Sequence, residues 1–183
     1  QCSDVGNQGG WAMCHYSRKN LSPRGRFVPD PGNPVVKGGS LWSRLCSGAA
    51  SSCPATTVDE GTPEIVAKAH GQFLVTFHGY DYASKTAFRG MAHTSDFQHW
   101  KVKGAGLPDG PLLGSAECIR RTPHCVGVGQ ASTLFTQKYM YVLAESMDKS
   151  LECLPDQQWI FYLHRAPIEE FPRSGSKLWE THA

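Results

Sequence analysis

The chain has 183 residues, 40% of them hydrophobic and 19% charged, and its 18 Lys and Arg against 16 Asp and Glu leave a net charge of +2. This is the composition of a folded chain with room for a core, which excludes disorder. No basic run exceeds Arg120-Arg121, so nothing tracks a phosphate backbone or an anionic membrane, and no apolar run approaches the roughly 20 residues of a membrane helix.

Residues 1–60 are rich in Gly, Pro and Ser, with strand-like pieces only near 11–16, 27–28 and 34–37. Asp30-Pro31-Gly32-Asn33-Pro34 is strong turn chemistry, and residues 40–45 fit either a helical turn or a strand. Seven cysteines in so short a chain, Cys2, Cys14, Cys46, Cys53, Cys118, Cys125 and Cys153, favour an oxidising compartment. The protein is therefore expected to be secreted. A start at Gln1, not Met, fits a processed product, and no signal segment opens the chain.

Local spacing points to Cys2-Cys14, Cys46-Cys53 and Cys118-Cys125 as disulfides, with Cys125-Cys153 as an alternative, because spacing does not fix connectivity. One thiol is left over, either buried or bonded to another chain. Without a CxxC or CxxH pair zinc is disfavoured, and no metal or cofactor is expected. Asn20-Leu21-Ser22 is a glycosylation sequon, in keeping with an extracellular glycoprotein.

Short strands with turn residues on both sides are predicted over 64–67, 73–77, 87–93 and 100–102, with a hairpin at His70-Gly71. After a loop over 104–125 they come again at 130–135, 139–143, 159–164 and 177–179. The repeat aligns Glu64 with Gln130 and His93 with His164, and its offset grows from 66 to 71 residues through the loop 147–158. The chain is thus read as all-β and disulfide-stapled, built of antiparallel four-stranded units of the kind that stack as propeller blades. Residues 1–60 form a loop-rich part or an incomplete blade, 61–125 a first clear blade with its loop, and 126–183 a second. Two to three blades do not close a ring, so a larger assembly is expected.

Thr62-Pro63-Glu64-Ile65-Val66, Gln72-Phe73-Leu74-Val75-Thr76 and the turn Ser95-Asp96-Phe97-Gln98-His99-Trp100 resemble the blade pattern of the five-bladed propeller glycoside hydrolases, the group of arabinanases, arabinofuranosidases, β-xylosidases and invertases. Residues 138–142 and 159–165 resemble the same scaffold, so the likeness spans about residues 61–179. It implies hydrolysis of glycosidic bonds by paired carboxylates delivered from inner strands into a funnel. Glu64 matches one acidic position, and Glu145 and Asp81 are the other candidate catalytic acids. His78, Gln130, Arg165 and Trp159 are the candidate substrate-binding residues. Gln130 departs from the pattern, since an amide transfers no proton. The expectation leans to a secreted glycoside hydrolase acting on a polysaccharide. The alternative is a non-catalytic extracellular binding or interaction module on the same scaffold. A second chain, joined through the unpaired cysteine, could supply the missing blades.

Overall fold

The computed structural model of the chain describes residues 2–3, 11–20, 22–47, 59–81, 86–104, 107–108, 110–114, 128–147, 159–169 and 180–182. Among these residues the fold is mostly β, with antiparallel sheets and one short helix. The N-terminal part contributes two small sheets, β1 (Cys2–Ser3) with β2 (Trp11–Ala12) and β3 (Tyr16–Ser17) with β4 (Val28–Pro29), and then α1 (Ser40–Leu45). The ambiguous stretch at 40–45 is thus a helix. It buries Leu41, Trp42 and Leu45, spaced along one helical face.

Two four-stranded meanders follow. The first runs β5 (Asp59–Ala69), β6 (Gln72–Asp81), β7 (Thr86–Thr94) and β8 (Trp100–Lys101) in spatial order. The second runs β9 (Ala131–Phe135), β10 (Tyr139–Met147), β11 (Trp159–Pro167) and β12 (Glu180–His182) in the same manner. The described fourth strand of the second meander lies just after the predicted 177–179, which falls outside the described residues, as does the loop 148–158.

Turn chemistry explains the hairpins. His70 and Gly71 both have positive φ, 49° and 76°, as a two-residue turn matched to strand twist requires. Between β7 and β8 the Asp96 carboxylate accepts the backbone N–H of Gln98 at 2.9 Å and of His99 at 2.8 Å. Thr94 Oγ1 accepts that of Phe97 at 2.9 Å. The Ser95–Trp100 motif is therefore a side-chain-capped turn.

The first meander is the middle layer, which is why β6 and β7 are buried on both faces. One face sets Val75, Phe77, Phe88 and Ala92 against Met13, Val36 and the apolar side of α1. The other sets Met91 against Leu107, Leu112 and Leu113 and against Met140, Val142 and Ala144 of β10. Burying side chains such as Trp42 or Leu41 stabilises by about 2–3 kcal/mol each. Asp59 Oδ1 fastens β2 to β5 by accepting the Trp11 N–H at 2.6 Å.

Register corrects the repeat. The β5-β6 turn closes on Ala69 and Gln72, and the β9-β10 turn on Thr136 and Tyr139, so from Gln72 to Tyr139 the offset is 67 residues and not 66. In β6 Thr76 lies opposite Glu64, whereas its counterpart Leu143 lies opposite Ser132. Ser132, not Gln130, is therefore the partner of Glu64 in the repeat. Likewise Val75 faces Ala92 while its counterpart Val142 faces His164, so His164 corresponds to Ala92 and His93 to Arg165. A slip of one residue moves a side chain to the other face of a sheet. His93 and His164 thus share no position.

Candidate functional site

The seam between the two meanders gathers the polar residues. Strand β5 is bulged between Gly61 and Glu64, with Thr62 at φ 39°, a conformation a β-branched residue rarely adopts. Pro63 sits in this bulge at the sheet edge, where no ladder N–H is missed. The bulge turns Thr62 inward. Its carbonyl and hydroxyl both accept from Arg89 Nη1, at 3.3 and 3.0 Å.

Arg89, in the middle of β7 and 1% exposed, holds the site together. Its Nη1 also donates to the Gly129 carbonyl at 3.4 Å, and its Nη2 to Thr76 Oγ1 at 2.6 Å. Its Nε has no acceptor among the described residues. Burial pulls its pKa down to about 10, with Glu64 and Glu145 pulling the other way, so it stays a cation at neutral pH.

Each carboxylate reaches this cation through one intervening dipole. Thr76 Oγ1 accepts from Arg89 and donates to Glu64 Oε2 at 3.3 Å. The Gly129-Gln130 peptide turns its C=O to Arg89 and its N–H to Glu145 Oε1, the latter at 3.0 Å. Gly129 is required there, because a Cβ would lie 2.8 Å from Glu145 Cγ. Glu64 also crosses the seam, accepting the Thr133 N–H at 2.6 Å and the Thr133 hydroxyl at 2.8 Å. These charge-assisted bonds join β5 to β9.

His78 lies on the same face, opposite Arg89 across the β6-β7 ladder. Burial, with Arg89 nearby, depresses its pKa to about 3 and keeps the ring neutral. The structure therefore brings together Glu64, Glu145, His78 and the backbone of Gln130. Asp81 is apart from them: three residues beyond His78 on β6, it points to the opposite face and is 2% exposed. Arg165 is also apart, on β11 with its guanidinium 5.0 Å from the Tyr139 ring. Trp159 opens β11 opposite Met147, and its side chain is outside the described residues. Asn20 is exposed, and its Oδ1 accepts the Ser22 N–H at 3.2 Å.

Cys14 and Cys46 are each disulfide-bonded. Cys53, Cys118, Cys125 and Cys153, and the side chain of Cys2, lie outside the described residues, so the expected pairings do too. Of the other tryptophans, Trp42 and Trp100 are buried in the core and Trp11 is exposed.

Glu60 has no counterpart in the sequence reading. Fully buried at the start of β5, it caps α1 from a distance, accepting the Trp42 N–H at 2.7 Å and the Ser40 hydroxyl at 3.3 Å. The helix needs this, because Gly39 before it has no side chain to offer. Burial raises the Glu60 pKa to about 7 against the pull of those amides.

A raised carboxyl contributes stability that fades as pH climbs from 4.5 to about 7, while the depressed His78 contributes stability that fades as pH falls below 6.5. The two slopes oppose each other between pH 4.5 and 6.5. Glu60→Gln keeps an acceptor and removes one slope. Its unfolding free energy is expected to rise with pH across that window, and by pH 8 to have gained on wild type by about 3 kcal/mol. Urea titrations at pH 4.5, 6.5 and 8 measure this, and parallel curves for the two proteins would remove Glu60 from the pH response.

An apolar cleft of about 460 Å³ opens on the far side of the first meander. Tyr16, Phe27, Phe97 and Trp100 line it with Pro63 and Ile65. Tyr16 and Phe27 are exposed, and His15 stacks on Phe97 at 5.7 Å. At its rim the Asp30 carboxylate accepts from Gln98 at 3.1 Å and lies 3.3 Å from His15 Nδ1.

Comparison with known proteins adds nothing to this geometry: no protein-family model, no curated protein and no solved structure matches the chain.

Proposed function

We propose that the chain is part of a secreted, disulfide-stapled β-propeller of the carbohydrate-active kind, and that these two blades serve as a non-catalytic binding module. The observation that carries this is the state of the carboxylates. Glu64 is committed to Thr133 through both oxygens, and Glu145 to the backbone of Gln130. They act as structural bonds, Glu64 across the seam and Glu145 within the second meander, and not as a donor and acceptor held open to substrate. Asp81, the third candidate acid, is buried on another face.

Sugar rings present apolar faces that stack on exposed aromatics while their hydroxyls seek polar partners. Tyr16 and Phe27, with Asp30 and Gln98 at the rim of their cleft, offer both. Saturable binding to a panel of polysaccharides is expected without release of reducing sugar. Tyr16→Ala with Phe27→Ala should weaken that binding at least tenfold, and Glu64→Gln should leave it unchanged. The hydrolase reading keeps one observation in its favour, the convergence of Glu64 and Glu145 on Arg89. It replaces the binding reading if wild type releases sugar and Glu64→Gln does not.

A further inference from the structure

The second meander has one buried face and one bare one. Met140, Val142, Ala144 and Ala166 pack against the first meander. The alternate residues form a grid on the other side: Leu134 beside Tyr141 and Arg165, Ser132 beside Leu143 and Leu163, and Glu145 beside Phe161. Leu134 is 63% and Phe161 61% exposed, and Leu143 and Leu163 are exposed too. Such a contiguous apolar patch with a polar border marks an interaction surface.

The interface already present says what covers it. With the 67-residue register, Tyr141 corresponds to Leu74, Leu143 to Thr76 and Leu163 to Met91. Leu74 and Met91 belong to the face of the first meander that the second one buries. The operation that carries the first meander onto the second therefore carries the second onto a place above Leu134, Leu143, Phe161 and Leu163. This contact is head-to-tail, with unlike faces meeting. A second copy of the chain does not supply the complementary face, since its Val75, Phe77 and Ala92 are already covered by α1 and its neighbours.

We propose that this face docks a third four-stranded antiparallel sheet, carried by polypeptide outside residues 1–183, through a surface of medium-sized apolar side chains like that of Met140, Val142 and Ala144. The proposal deepens the reading above by naming the partner, and it rests on the repeated blades but not on carbohydrate binding.

The test places a photoreactive residue, Leu143→p-benzoylphenylalanine, in the full chain in the cells that make it, with Lys101→p-benzoylphenylalanine as control. Irradiation is expected to give an adduct at position 143 alone, on a peptide outside these residues that lies in a strand of an antiparallel meander. Phe161→Gln, which sets no second carboxylate beside Glu145, should cut its yield at least tenfold while leaving the melting temperature of the isolated chain unchanged. An adduct to residues 134–163 of another copy would make the face a self-association surface and overturn the proposal. A yield no higher than that of the Lys101 control overturns it as well. Failure here leaves sugar binding untouched, and loss of sugar binding leaves the adduct in place, so the two readings fail separately.

Discussion

Gly79→Ala is expected to destabilise the chain by about 3 kcal/mol, a large loss for one methyl group. A Cβ at this position would lie 1.8 Å from Trp42 Nε1, 2.4 Å from Cε2 and 2.6 Å from Cδ1. These are atoms of a fused ring and cannot rotate away singly. The indole has no room to retreat, because it is 1% exposed and meets Phe77 and Phe88 edge-on at 5.3 and 6.1 Å. The strand cannot retreat either, since β6 is hydrogen-bonded on both sides. Relief therefore comes from displacing α1, which also pulls the Trp42 N–H away from Glu60. Urea unfolding measures the cost, and Trp42→Leu tests its cause. If the clash is with the indole, the double variant is less destabilised than the sum of the two singles. A loss below about 0.5 kcal/mol for Gly79→Ala would mean that the contact between helix and sheet yields enough to admit a methyl group.

Gly79 also shows what a sequence reading can and cannot see. The turns at His70-Gly71 and Ser95–Trp100 and the strand order of both meanders were legible, because turn residues and alternation are local signals. The pairing of the repeats was not. Glu64 and Gln130 are similar in shape, and aligning them places Pro63 and Gly129 alike at a strand entrance. But β5 carries irregularities between Gly61 and Glu64 and between Ile65 and Ala67, which consume residues without lengthening the strand. A count along the sequence therefore slips against the ladder. The turn positions, free of bulges, carry the better register.

The candidate site was half legible for a related reason. Glu64, Glu145 and His78 were found because acids and histidines near strand ends attract attention. Arg89 was missed because Ala87-Phe88-Arg89-Gly90-Met91 is an apolar run with one charge in it, and nothing local tells a buried cation from one at an edge. Its signal lies in a distant part of the chain, the carbonyls and hydroxyls of Thr62, Thr76 and Gly129. Glu60 was read as the end of a loop, and only the helix it caps gives it a purpose.

Replacing Arg89 is expected to have the largest effect of any single change at the seam. Arg89→Met fills similar space yet leaves the Thr62 and Gly129 carbonyls without their charged donor and Thr76 Oγ1 without its 2.6 Å partner. It also removes the cation, itself 1% exposed, that offsets Glu64 and Glu145. Breaking a buried network from one side in this way costs about 3–5 kcal/mol. Arg89→Lys should recover less than half of that, because one ammonium does not reach carbonyls on both β5 and the Gly129 turn as a planar fork does. The charge argument is separable from packing. With Glu64→Gln already in place the cation has less to offset, so Arg89→Met on that background should cost less than on wild type. Strict additivity would show that Arg89 acts by filling space and bonding neutral groups alone. Hydrogen exchange locates the damage: the Thr133 amide, held by Glu64 across the seam, should lose protection before the Val75 and Phe77 amides of the central strand do. If central strand and seam open together, the two meanders form one cooperative unit, and the seam is not the weaker joint at which a third sheet would find the second meander free to adjust.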